Sequence, residues 1–130
     1  MNYSKDLSIV ISLYNEDESL PELIRWIEQV MNKEGYRYEI IMVDDGSTDN
    51  SPHIAQDYCA NHPECVFIAQ PNQGVSAARN NAIRVAKGTY ILPVDADDKI
   101  ADSFIQKAVE VIENTDDVRV VGCRCWMFGG

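Results

Sequence analysis

Short apolar runs alternate along the chain with longer segments whose apolar positions recur every three or four residues. Residues 7–13 are rich in Ile and Val and read as a first strand. Ser19-Leu20-Pro21-Glu22 then has the form of a capping box with Pro inside the first turn. Leu20, Leu23, Ile24, Ile27, Val30 and Met31 follow at helical spacing, and the helix stops near Gly35. Residues 38–43 read as a second strand. Ser51 is the expected N-cap of a short second helix, with Pro52 at its first position and Ile54, Tyr58 and Cys59 on its apolar side. Asn61-His62-Pro63 ends that helix, and residues 65–69 form a third strand. After the turn Pro71-Asn72-Gln73-Gly74, residues 76–87 read as a helix with Ala78, Ala82, Val85 and Ala86 inward and Gly88 past its end. The apolar run 90–94 is a fourth strand, residues 102–114 a fourth helix and residues 118–125 a fifth strand. Strand and helix alternate throughout. The pattern predicts an α/β, Rossmann-like doubly wound sheet of about five strands, mainly parallel, with helices on both faces and right-handed crossovers.

In that architecture the segments after the first, second and fourth strands share one edge of the sheet, where open α/β sheets bind ligands. All three are polar: Tyr14-Asn15-Glu16, then Asp44-Asp45-Gly46-Ser47-Thr48-Asp49, then Asp95-Ala96-Asp97-Asp98. The last places three carboxylates within four residues. Two like charges ~4 Å apart repel by about 4 kcal/mol at an effective dielectric of 20. A hard divalent cation would relieve that repulsion, held by one or two carboxylates with substrate phosphates completing its shell. Asp44 or Asp45 could accept hydrogen bonds from a base or ribose, or simply form a turn with Gly46. Tyr14 could stack on a flat ring or be a half-buried aromatic. Arg79, early in the third helix, suits an anion or is a solvated helix residue.

Four stretches together resemble the nucleotide-sugar-dependent inverting glycosyltransferases of family 2, which have the GT-A fold. They are Ser8-Ile9-Val10-Ile11-Ser12-Leu13-Tyr14-Asn15-Glu16, Val43-Asp44-Asp45-Gly46-Ser47-Thr48-Asp49, Asn72-Gln73-Gly74-Val75-Ser76-Ala77-Ala78-Arg79-Asn80, and Gly88-Thr89-Tyr90-Ile91-Leu92-Pro93-Val94-Asp95-Ala96-Asp97-Asp98. They fall in family order across nearly the whole chain, whereas a lone Asp-x-Asp would carry little weight. The resemblance implies residue roles. Ser12, Tyr14 and Glu16 match positions lining the nucleotide pocket. Asp45 matches the carboxylate that binds the uracil edge, with Asp44 beside it, and Arg79 matches a basic residue near the nucleotide. Asp95 and Asp97 match the Asp-x-Asp motif. Asp97 is the stronger metal-ligand candidate, Asp95 lies near ribose or metal, and Asp98 supports the loop. The implied cofactor is Mn2+ or Mg2+. The implied partners are a UDP-sugar donor and a carbohydrate or lipid-linked acceptor.

One part of the family pattern is missing. The catalytic base normally follows the Asp-x-Asp half, and no segment here matches its motif. The expectation is therefore a single donor-binding domain over residues 1–130, ending before the acceptor half, with an apolar end at Trp126, Met127 and Phe128 that invites self-association. A non-catalytic nucleotide-binding module is one alternative. A phosphoacceptor signalling domain is another, but it would need an acid pair after the first strand and a Lys near the fifth.

Charge and composition narrow the remaining choices. A formal net charge of -10 argues against a nucleic-acid partner. No apolar run reaches the ~20 residues of a membrane span, and the start lacks a signal-peptide pattern. The expected location is cytoplasmic, with a peripheral association at the inner membrane face open to the full-length enzyme. The four cysteines lack Cys-x-x-Cys spacing, so Cys59, Cys65, Cys123 and Cys125 are expected as reduced thiols. His53 and His62 are expected at the surface.

Overall fold

The structure, a computed structural model, describes residues 5–97, 102–118 and 120–121. The chain divides into two compact units, Met1–Asp98 and Lys99–Gly130. The first holds four strands and three helices in strict alternation: β1 (Lys5–Leu13), α1 (Leu20–Glu34), β2 (Tyr38–Asp45), α2 (Ser51–Ala60), β3 (Cys65–Gln70), α3 (Val75–Val85) and β4 (Gly88–Asp95). Within the second unit lies α4 (Phe104–Asn114). The expected fifth strand falls mostly outside the described residues, as do Asp98, Cys123, Cys125 and the apolar end. Val118, Val120 and Val121 are described and belong to neither helix nor strand.

All described strand pairs are parallel, in the order β3-β2-β1-β4. β1 and β2 are central and nearly uninterrupted in burial, as strands covered on both faces must be. Ile9, Ile11, Leu13, Ile40, Ile41, Met42 and Val43 are inaccessible. Burying each such side chain contributes about 1.5–3 kcal/mol before entropy is charged against it. α3 covers one face through its small residues: Ala78 and Ala82 lie against Val10, Ile41 and Val43. α2 packs on β3 and β2 and touches α1, whose apolar stripe (Leu20, Leu23, Ile24, Ile27, Val30, Met31) is buried along its length.

Three local expectations change. Ser19 precedes α1 in helical geometry (φ -88°, ψ -25°), so its hydroxyl donates to Glu16 Oε2 at 2.8 Å instead of capping the helix. The N-cap of α2 is Asn50, because Ser51 is already helical and its hydroxyl is taken by the Glu16 amide at 2.8 Å. α3 stops at Val85, not Lys87, since the next residues must become extended to join β1. There, buried Glu39 accepts from the Ser8 hydroxyl at 2.6 Å and from the Lys87 amide, while the Gly88 amide donates to Ser8 Oγ at 2.8 Å. A Cβ on Gly88 would stand 2.6 Å from Ser8 N, so only glycine lets β4 approach here.

The expectation of reduced thiols fails at Cys59 and Cys65, which form a disulfide. The turn between α2 and β3 brings their Cα atoms to 4.8 Å, within bridging range, through bonds from Asn61 N to Tyr58 O and from Cys65 N to His62 O. His53 is exposed, as expected, whereas His62 is half-buried and stacks on Tyr58 with ring centroids 3.9 Å apart.

Candidate functional site

Strand order reverses at β1: the chain continues to β2 on one side and later to β4 on the other. Such a switch point opens a crevice at the carboxyl ends of the strands. Tyr14, Asp45 and Asp95 stand at those ends.

Alternation along the strands decides which side chains share a face. Val10, Ile41 and Val43 face α3. By parity Ser12 and Asp45 face the same way, and Ser12 pairs in register with Asp95. Arg79 reaches this group from α3, with one guanidinium nitrogen 2.6 Å from Asp95 Oδ1. Ser12, Asp45, Arg79 and Asp95 are therefore on one face of one edge. Asp44 is not. It points to the opposite face, is buried, and accepts the Ser47 amide at 3.0 Å, which closes the turn through Gly46 (φ 81°). Its other oxygen is buried without a partner. Glu16 is turned back to Ser19.

Asp45 is buried, yet it is surrounded by donors. It accepts from Gln73 N at 2.7 Å, Gly74 N at 3.0 Å and Gln70 Nε2 at 2.9 Å. Burial opposes its ionisation, but these donors outweigh burial and hold the carboxyl below the usual carboxylate range. Gln70 in turn accepts from Asn81 of α3, and Asn81 accepts from Arg84 at 2.5 Å. Asp45 thus anchors the β3–α3 connection and the start of the helix that carries Arg79. The sequence reading missed these partners; the amide-rich run 70–73 was the available signal.

Arg79 is half-exposed, but its Nε is buried and has no acceptor among the described residues. A buried N–H without a partner in a native fold calls for an explanation, and an oxygen-bearing ligand supplies one. Beyond β4, Asp97 is exposed in the turn after the strand. Among the described residues no three His, Cys, Asp or Glu side chains gather as a metal cage. The donor set nonetheless fits magnesium-like binding, in which one or two carboxylates and substrate phosphates suffice.

A second network was also missed. The β1–α1 and β2–α2 connections are joined by side chains of both. Asn15 N donates to Ser47 Oγ at 2.9 Å, Glu16 N to Ser51 Oγ at 2.8 Å and Asp17 N to Asp49 Oδ2 at 3.2 Å. In return Thr48 N donates to Asn15 Oδ1 at 2.8 Å and Asn50 N to Asp17 Oδ2 at 3.3 Å. Burial works against ionisation of Asp49, but its bonds to Ser51 and Asp17 prevail and keep its carboxyl low.

Comparison with known proteins follows the same outline. The family described as "Glycosyl transferase family 2" matches residues 8–129. "Uncharacterized glycosyltransferase YibD" of Escherichia coli (strain K12) is 36% identical over 129 residues, 98% of this chain and 36% of that protein. The crystal structure of S. aureus TarS 1-349 matches with a TM-score of 0.70 and 25% identity, over 91% of this chain and 38% of that one. The same protein in complex with UDP matches at TM-score 0.68 and 23% identity, over 90% of this chain and 38% of that one. The mannosyltransferase PcManGT from Pyrobaculum calidifontis, in complex with GDP-Man and Mn2+, gives a TM-score of 0.67 at 23% identity, over 85% of this chain and 35% of that one. Those last two likenesses establish the fold. The chain spans little more than a third of these proteins.

Proposed function

The chain belongs to glycosyl transferase family 2, and from that premise we propose that it binds the donor, a UDP-sugar, of an inverting glycosyltransferase. The observation that carries the reading is the convergence of Ser12, Asp45, Arg79 and Asp95 on one face of the switch-point edge, with a buried guanidinium N–H left open to an acceptor. Solved neighbours of this fold are complexes with UDP and with GDP-Man and Mn2+, which supports a nucleotide-sugar ligand at this edge.

Each residue's part follows from its position. Asp45 holds the β3–α3 connection that borders the base. Tyr14, half-exposed at the mouth, offers a ring for stacking. Arg79 binds ligand oxygen and holds Asp95, which is placed for the ribose. Asp97 and Asp95 would hold Mn2+ or Mg2+ together with the donor diphosphate. A bound divalent ion supplies Lewis-acid stabilisation of charge on the leaving phosphate. In the whole protein an acceptor hydroxyl, of a carbohydrate or a lipid-linked saccharide, loses its proton to a general base and displaces the diphosphate with inversion. Among the described residues no helix is long and apolar enough to cross a membrane. The cytoplasmic face is the setting proposed for the protein.

The test is the melting temperature with UDP, with and without manganese, using ADP as a control. A ligand at 100 times its dissociation constant adds about 2.7 kcal/mol, a shift of several degrees at this size. A UDP shift that grows with manganese and loses that increment in Asp97→Ala is the expected result. No shift with any nucleotide would refute donor binding by this chain.

A further inference from the structure

We infer that Asn15 is a positioning residue for nucleotide binding, acting through Tyr14; the inference rests on the donor-binding reading above. Asn15 sits between the exposed Tyr14 ring and a loop pinned on both sides. Its backbone is left-handed (φ 54°), a conformation that few non-glycine residues adopt and that Asn tolerates best. Its amide N–H is held by Ser47 Oγ, and its side-chain carbonyl accepts Thr48 N at 2.8 Å. The next two amides, of Glu16 and Asp17, are held by Ser51 and Asp49. The chain thus changes direction at one residue, immediately after Tyr14, and every amide from 15 to 17 is fixed to the β2–α2 loop.

Half of the Tyr14 surface is open, although Leu13 before it is fully buried. The direction in which its side chain leaves the backbone is set by the end of β1 on one side and the left-handed turn at Asn15 on the other. Ser47 and Asp49 of the β2–α2 loop, and Ser51 at the start of α2, direct their side-chain oxygens to this clasp. Their role is to hold Asn15 and its neighbours, and Asn15 is where the clasp meets the ring.

The experiment is a double-mutant cycle on UDP affinity. It is measured by calorimetry with manganese, well below the melting temperature of each variant. Tyr14→Ala is expected to weaken UDP about tenfold, the scale of one lost base–aromatic stack. Asn15→Ala, which loses both the Thr48 bond and the tolerance for positive φ, is expected to weaken it about fivefold. Asn15→Asp keeps an acceptor and the backbone tolerance, and should return to within about twofold. In a Tyr14→Ala background, Asn15→Ala should change the affinity less than about twofold, because the ring it aims is gone. A merely structural role would lower the melting temperature in both backgrounds without this coupling. Equal losses in both backgrounds, or no loss in Asn15→Ala or in Tyr14→Ala, would overturn the inference while leaving donor binding intact. Absence of UDP binding by the unmutated chain would instead overturn the donor reading, and this inference with it.

Discussion

Replacing Asp45 by Asn tests whether one carboxylate organises the site. Its two oxygens accept three bonds, from Gln73 N, Gly74 N and Gln70 Nε2. Hydrogen bonds to a charged group contribute roughly 1.5–3 kcal/mol each. Gln73 and Gly74 are exposed, so water can recover part of their loss. Asn also keeps one acceptor oxygen. Its NH2 must face a backbone donor in either orientation, Gly74 N in the place of one oxygen or Gln73 N in the place of the other, and no flip of Gln70 relieves that. The expected cost is about 2–3 kcal/mol, or roughly 6–12 °C in melting temperature for a chain of this length. The pH dependence sharpens the test. The Asp45 pKa is depressed in the folded chain, so its contribution is complete above the unfolded carboxyl value of about 3.9 and disappears as pH falls through the folded value. Melting followed by circular dichroism should therefore show the largest gap between the two proteins near neutrality, closing as pH falls below about 3.9. Work at low protein concentration is needed because the sequence pI is about 4.4. A gap independent of pH, or an Asn variant as stable as the parent, would refute the assignment of Asp45 as an ionised anchor.

Three further outcomes can be checked on the same material. Gly88→Ala places a methyl 2.6 Å from Ser8 N and Oγ, so β4 must shift; a loss of about 1–3 kcal/mol by denaturant titration is expected, and unchanged stability would show that β4 is not held this closely. Arg79→Met removes both the pair to Asp95 and the unpartnered Nε; UDP affinity should fall at least tenfold while the half-exposed ion pair itself contributes little to stability. Alkylation of the denatured chain without reductant, read by peptide mass, should leave Cys59 and Cys65 unmodified, and modification of both would exclude the disulfide.

The fold was legible because its signals are periodic. Short runs rich in Ile and Val fit strands covered on both sides, and alternation with amphipathic helices leaves few topologies. The shared edge of the polar loops followed from topology alone. What the sequence could not show was the orientation of each polar side chain. Asp44 and Asp45 are adjacent and chemically identical, and motif matching put both in one pocket. The pleat of β2 sends them to opposite faces, so that one meets α3 and the other closes a turn. Ser19 and Glu22 have the spacing of a capping box, but Glu16, three residues earlier, is the partner that Ser19 finds. Cys59 and Cys65 lack the spacing of a metal or redox motif; only the turn between α2 and β3 brings them together.

The same facts explain why so much polar chemistry is concentrated at this edge while so little of it faces the crevice. A parallel sheet ends all its strands on one side, and the connections there leave amides that no ladder can satisfy. Side chains must take them, and Asn, Asp and Ser have the reach. Asn15, Asp17, Ser47, Asp49 and Ser51 do this between two loops, and Asp45 does it for a third. Among the described residues, Ser12, the Arg79 guanidinium and the Asp95 carboxylate beside it lie on the α3 side of the crevice, with Asp97 exposed in the following turn. Preorganisation is the physical consequence. The loops are closed before a ligand arrives, so binding energy is not consumed in ordering them. Substitutions in the clasp should accordingly raise the dissociation constant through the geometry of Tyr14, and substitutions at Arg79 or Asp97 through contacts with the ligand itself.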